Sequence, residues 1–152
     1  MTLTPYTTVM VKRLEHAKNL PLPSYATFGS AGMDLCAAVT EPVILKAYDR
    51  ALIPTGLQIA LPSGFELQIR PRSGLAFNYG ITLLNTPGTI DEDYRGEIKV
   101  VLINTDHNSF IVERGMRIAQ AILIPVVKYN WCEVENLDAT ERSCSGFGST
   151  GI

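Results

Sequence analysis

The chain has 152 residues and a mass of 16.6 kDa, the size of one domain, so a single compact unit is expected. A charged share of only 18%, a net charge of −2 and a pI of 5.7 exclude a polybasic nucleic-acid binder, and 46% hydrophobic residues exclude whole-chain disorder. Low charge with a mean hydropathy of +0.13 points to apolar surface covered by other subunits.

In chain order, the first expected strand spans 8–14 and the second 33–37, where Asp34 is a carboxylate inside an apolar run. Leu57, Ile59 and Leu61 alternate with Gln58 and Ala60; Phe65, Leu67 and Ile69 alternate with Glu66, Gln68 and Arg70. Both runs carry the period-2 signature of a half-buried strand, and Pro62-Ser63-Gly64 between them reads as a hairpin turn. Ser73–Tyr79 is the one short helix expected, opened by a serine able to cap it. Further strands are expected over 81–84, 97–104, 110–113, 118–127 and 131–135, with a turn at Thr105-Asp106-His107-Asn108. Ten-residue windows with an apolar stripe at helical spacing are absent, so the reading is all-β: a sandwich, barrel or jelly roll.

The longest apolar run, 118–127, is broken by Gln120 and Pro125 and is too short for a membrane span. Residues 1–11 lack a charged segment followed by an apolar one, so no signal peptide is expected. Cys36, Cys132 and Cys144 form no CxxC, and only His16 and His107 accompany them. Neither a zinc site nor a disulfide framework is expected, and a reducing cytoplasm fits.

Four places carry candidate chemistry. Gly88 to Glu97 reads GTIDEDYRGE, with Asp91, Glu92 and Asp93 beside Tyr94 and Arg95 at a turn; one carboxylate held on a rigid hairpin could serve as a general base, although a solvated acidic turn is the commoner meaning. Pro71 to Ala76, PRSGLA, sets arginines on both sides of Pro71 and a serine–glycine pair at a helix start, where an anion is favoured. Arg117-Ile118-Ala119-Gln120 puts an arginine and an amide into an apolar run. The polar segment 136–152 cannot repay its own ordering by burial, and it is expected to be mobile until something binds it. Its Gly146-Phe147-Gly148-Ser149-Thr150-Gly151, preceded by Arg142, offers converging amides, two hydroxyls and an aromatic ring, a phosphate cradle that is not a Walker A loop.

In order, Ala31-Gly32-Met33-Asp34-Leu35, PRSGLA, GTIDEDYRGE, Arg117-Ile118-Ala119-Gln120 and the glycine-rich tail make the chain resemble the trimeric deoxyuridine triphosphate nucleotidohydrolases (dUTPases) along nearly its full length. The resemblance implies a jelly-roll-like homotrimer: residues 1–135 a catalytic domain, 136–152 a mobile tail closing over active sites shared by all three subunits. It implies hydrolysis of dUTP to dUMP and pyrophosphate, keeping uracil out of DNA and supplying dUMP for thymidylate synthesis. Mg²⁺ would be bound chiefly through the triphosphate, with Asp34 behind it through water and no direct protein ligand. Neither nucleic acid nor membrane is implied as a partner.

Carried over residue by residue, the resemblance makes Asp91 the base that activates water against the α-phosphorus. Tyr94 would lie against the deoxyribose and exclude a 2′-hydroxyl. Asn85 and the backbone around Gly80 to Ile90, with Gly88, Thr89 and Ile90 among them, would read the uracil edge. Arg72, Ser73 and Gly74 would hold phosphates, with Gln120 as another phosphate contact. From the tail, Phe147 would stack on uracil while Arg142, Gly148, Ser149 and Thr150 close on the β- and γ-phosphates. Arg117 is assigned to structure or the subunit interface. The chain departs from the family pattern at Ser143 and Ser145, where glycines are usual, at Met116, where an acid is frequent, and in the extra thiol of Cys144. A dCTP deaminase of the same fold and a non-catalytic nucleotide sensor are the alternatives; ammonia release from dCTP, or tight dUTP binding without turnover, would mark them.

Overall fold

The computed structural model describes residues 7–146. Eleven strands lie among them: β1 Met10–Arg13, β2 Met33–Cys36, β3 Val43–Leu45, β4 Arg50–Pro54, β5 Leu57–Ala60, β6 Phe65–Arg70, β7 Ile81–Leu83, β8 Gly88–Ile90, β9 Lys99–Asn104, β10 Phe110–Val112 and β11 Arg117–Pro125. The helix α1 is Ser73–Tyr79, and a 3₁₀ turn covers Glu15–Ala17. The expected all-β architecture is what the chain forms. Its strands make a four-stranded sheet in the order β2-β11-β6-β8, a three-stranded sheet β4-β9-β7, and the pairs β1-β5 and β10-β3.

Alternation buries one side of β5, β7 and β9. Val100 and Leu102 of β9, Ile53 of β4, Ile81 and Leu83 of β7, Leu35 of β2 and Ile118 of β11 meet in one core cluster. Burial of that apolar area is the main stabilising contribution, at ~25 cal/mol per Å². Leu75 anchors α1 to the same core, and Gly80 ends the helix in the left-handed region at φ 63°, its N–H returning to the Ala76 carbonyl at 3.1 Å.

Several expectations are corrected. Pro62-Ser63-Gly64 is no hairpin turn: β5 pairs with β1, while β6 pairs with β11 and β8, so the turn carries the chain between sheets. The 91–97 segment likewise joins β8 of one sheet to β9 of another and is not a hairpin. Ser73 does not cap α1; Arg72 holds that position with extended backbone and no side-chain cap bond. Residues 131–135 form no strand and lie exposed, with no strand partner among the described residues.

Candidate active site

Register builds the first half of the site. Gln120 of β11 stands opposite Asp34 of β2 on one side and Arg70 of β6 on the other. Three of the motifs, distant in sequence, therefore meet across three neighbouring strands. Arg72 Nε donates to Asp34 Oδ1 at 2.9 Å, and Arg72 Nη1 donates to the Arg117 carbonyl at 3.2 Å. Arg117 Nη1 reaches Asp34 Oδ2 at 3.7 Å. Gln120 Nε2 donates to the Pro71 carbonyl at 3.0 Å, fixing the chain just before Arg72. A Cβ at Gly32 would approach Gln120 Oε1 to 2.8 Å, so only glycine lets the amide lie there. A hollow of about 290 Å³ lined by Ser24, Ser30, Gly32, Asp34 and Gln120 opens beside this cluster.

A register shift between Arg117 and Ala119 inserts an extra residue opposite β2. Such a bulge re-aims a side chain, and here Ile118 enters the core while Arg117 points to solvent beside Asp34. Ser73 and Gly74 are exposed on the first turn of α1, and a Cβ at Gly74 would meet nothing within 4 Å, leaving the backbone open to approach. Cys36, next but one to Asp34, has its thiol pushed up by burial, then by the Asp34 charge, against the pull of Arg117 and Arg72.

The second half is the segment after β8. Gly88 is buried against Ile69, and the Asn85 amide lies over it, 3.4 Å from where a Cβ would stand. Thr89 is exposed and Ile90 half-buried. Asp91 is exposed beside a hollow of about 430 Å³ that Glu66, Glu92, Asp93 and Lys128 also line. Its turn is closed by the Tyr94 N–H donating to the Asp91 carbonyl at 3.2 Å. Three staples absent from the sequence reading hold the segment. Glu92 accepts from the Gly64 N–H at 2.9 Å, Gln58 Nε2 donates to the Arg95 carbonyl at 2.9 Å, and Arg95 Nη1 donates to the Glu92 carbonyl at 2.6 Å. Glu92 and Arg95 lie in a turn and Gln58 on β5, and none carries a local sequence signal for this role.

The two halves do not meet within one chain. Ile90 pairs with Leu67, which sets Asp91 at the level of Glu66, whereas Arg72 lies past Arg70. From residue 66 to 70 along β6 is about 13 Å at ~3.3 Å per residue. Arg142 donates to the Ser145 carbonyl at 3.1 Å, within the tail itself. Phe147, Gly148, Ser149 and Thr150 fall outside the described residues.

The described residues thus form an all-β domain that displays a carboxylate turn and an arginine–amide cluster at opposite ends of one strand. The sequence model of the dUTPase family matches residues 18–151. A deoxyuridine 5′-triphosphate nucleotidohydrolase of Wolbachia sp. subsp. Brugia malayi is 57% identical over 145 residues, 94% of this chain and 93% of the relative. One of Brucella melitensis biotype 2 is 58% identical over 146 residues, covering 95% and 93%. A Staphylococcus bacteriophage 80alpha dUTPase variant solved with dUpNHpp is 26% identical and superposes at a TM-score of 0.85 over 95% of this chain and 99% of its own. The chain belongs to the dUTPase family.

Proposed function

We infer that this protein hydrolyses dUTP to dUMP and pyrophosphate, removing a uracil precursor from the DNA-building pool and supplying dUMP for thymidylate synthesis. The observation that carries the activity is the identity of 57–58% across 94–95% of the chain to deoxyuridine 5′-triphosphate nucleotidohydrolases.

The residue roles follow from the two halves of the site. Asp91 takes a proton from water as its oxygen forms a bond to the α-phosphorus, and the bond from that phosphorus to the bridging oxygen breaks, releasing pyrophosphate. Tyr94 walls off the 2′ position, and Asn85 with the backbone of Gly88, Thr89 and Ile90 pairs with uracil. Arg72, Ser73, Gly74 and Gln120 hold phosphate oxygens, and the tail brings Arg142, Phe147, Gly148, Ser149 and Thr150 to base and phosphates. Such chemistry asks a protein mainly for positioning and neutralised charge, which a pre-organised arginine and fixed amides supply.

Proteins of this family use Mg²⁺. Asp34 is the only carboxylate among the phosphate-holding residues, and its two oxygens already face Arg72 and Arg117 at 2.9 and 3.7 Å. That geometry suits a cation held by triphosphate oxygens, with Asp34 contributing through water; the metal would supply neutralisation of phosphate charge.

A homotrimer with shared sites accounts for the 13 Å spacing along β6: one copy presents its Asp91 turn to the arginine cluster of the next. It also accounts for exposed apolar surface. Val127, Tyr129 and Trp131, at the i, i+2, i+4 spacing of one extended face, are 88%, 72% and 89% exposed. Three unpaired cysteines fit a cytoplasmic setting. Among the described residues no helix is long and apolar enough to cross a membrane.

Pyrophosphate release measured across dUTP, dTTP, dCTP and UTP tests the reading. Polar groups matched to uracil and deoxyribose should favour dUTP by up to ~10⁴-fold. Equal kcat/KM for dUTP and either UTP or dTTP overturns the specificity, and no release from dUTP overturns the activity.

A further inference from the structure

Tyr94 is 43% exposed, and a half-exposed ring defines a rigid wall only if something holds it. Its hydroxyl donates to the Glu97 backbone carbonyl at 3.0 Å, and the ring lies across Gly96, where a Cβ would strike it. The wall is therefore as fixed as Glu97. The Glu97 side chain is only 14% exposed, and its Oε1 accepts from His16 Nε2 and from the Gly56 N–H, both at 2.8 Å, while Lys99 Nζ lies 3.8 Å from Oε2. Each partner is anchored in turn. Gly56 turns at φ 68° against Ala17 of the 3₁₀ turn, where a Cβ could not fit. The His16 carbonyl accepts from Arg114 Nη2 at 2.7 Å, and Arg114 Nη1 donates to the Val39 carbonyl at 3.2 Å. Immediately after Glu97, the Ile98 N–H donates to the Leu57 carbonyl at 2.8 Å. A part-buried carboxylate with two charge-assisted bonds is costly to leave half-paired, so the arrangement has one stable geometry.

We propose that Glu97, braced by His16, is a positioning residue that fixes the Tyr94 ring and so sets discrimination between deoxyribose and ribose triphosphates. The proposal rests on the reading of Tyr94 as the sugar wall. Neither Glu97 nor His16 touches substrate; both act through the Glu97 carbonyl and the tyrosine hydroxyl. A ring freed from that carbonyl can yield to a 2′-hydroxyl, and misplacement by ~1 Å at a site can cost ~10²-fold.

The test compares kcat and KM for dUTP and UTP in the full-length protein and in E97A, E97Q, H16A, H16Q and Y94A. Glu97→Ala should raise the UTP-to-dUTP ratio of kcat/KM ~10-fold or more, within that range. Its dUTP loss should fall mainly on KM. Glu97→Gln and His16→Gln keep an acceptor or a donor at these places and should restore most of the discrimination; His16→Ala should lose it in part. A merely structural role would lower stability and slow both substrates together without moving their ratio. The proposal is overturned if E97A and H16A both keep the wild-type ratio while Y94A relaxes it. If Y94A also keeps that ratio, the sugar-wall reading itself has failed. Should E97A fold poorly, H16A against H16Q decides, since His16 is half-exposed and its replacement leaves the Gly56 bond to Glu97.

Discussion

Asp34→Asn separates charge from shape in the half of the site proposed to hold phosphates. The amide keeps one oxygen for Arg72 Nε, now at 2.9 Å, but turns an NH₂ or a weaker acceptor toward Arg117 Nη1 at 3.7 Å and leaves two guanidiniums without their counter-charge. A hydrogen bond to a charged group contributes ~1.5–3 kcal/mol when well shielded. Asp34 is 31% exposed and Arg117 63%, so the second contact falls in the ~0–1 kcal/mol range of surface pairs and the first is partly screened. The expected loss of stability is ~1–2 kcal/mol, read by denaturant unfolding at fixed subunit concentration because assembly shifts the midpoint. Activity receives two opposed effects. One fewer negative charge attracts the triphosphate, whereas a loosened Arg72 grips it less well. Salt separates them: at 0.15 M the Debye length is ~8 Å and the long-range attraction is screened, but the orientation of a contacting guanidinium is not. We expect kcat/KM to fall ~10-fold at that ionic strength and the deficit to shrink in low salt. In double-mutant cycles, Asp34 should couple to Arg72 more strongly than to Arg117. Unchanged or higher kcat/KM at 0.15 M would refute the claim that Asp34 holds Arg72 in place.

Asp91→Asn should lower kcat by ~10²–10⁴-fold while calorimetric binding of dUpNHpp survives; near-normal turnover removes Asp91 from the role of base. Burial, then Asp34, keeps the Cys36 thiol protonated to higher pH than an unfolded thiol, so its folded-state stability contribution is intact at neutral pH and declines as pH rises through the alkaline range. Peptide mapping after brief iodoacetamide treatment at pH 7.5 should accordingly find the exposed Cys144 modified well before Cys36, and equal rates would contradict the burial argument. Deletion from residue 143 onward should leave stability nearly unchanged and strongly reduce turnover. Mixing those subunits with Asp91→Asn subunits should restore activity after verified exchange, and failure to do so excludes shared sites.

What the sequence made legible follows from what local pattern encodes. Alternation in Phe65–Arg70 reports which side chains of one strand face the core, and the bounds read for α1 match although the serine cap that suggested its start is not formed. Val43–Leu45, Arg50–Pro54 and Gly88–Ile90 were missed. The first is too short to show a period; the second ends in proline at a sheet edge; the third opens on glycine at another edge. Residues 131–135 show alternation without a partner, and alternation alone does not supply one. Pairing was the information absent from local pattern. The same gap hid the meeting of Asp34, Gln120 and Arg72, which the β2-β11-β6 register creates, and the staples that Glu92, Gln58 and Glu97 apply to the Asp91 segment.

β6 acts as a ruler for the chemistry. A strand inside a four-stranded sheet cannot bend to bring residues 66 and 70 together, because β11 pairs along its whole length and β8 along its centre. Gathering both ends of the site in one chain would require an insertion long enough to cross the sheet, and each added residue costs ordering entropy of ~1–2 kcal/mol when fixed. In the proposed homotrimer a rotated copy of the same surface would supply the missing end without new chain. Cyclic closure would then give every site the same two halves and cover apolar positions such as Val127 and Trp131 that are exposed in the single chain. The rigidity that separates Asp91 from Arg72 within a subunit is thus also what would hold them at a fixed spacing between subunits, as water attack on a positioned phosphorus requires.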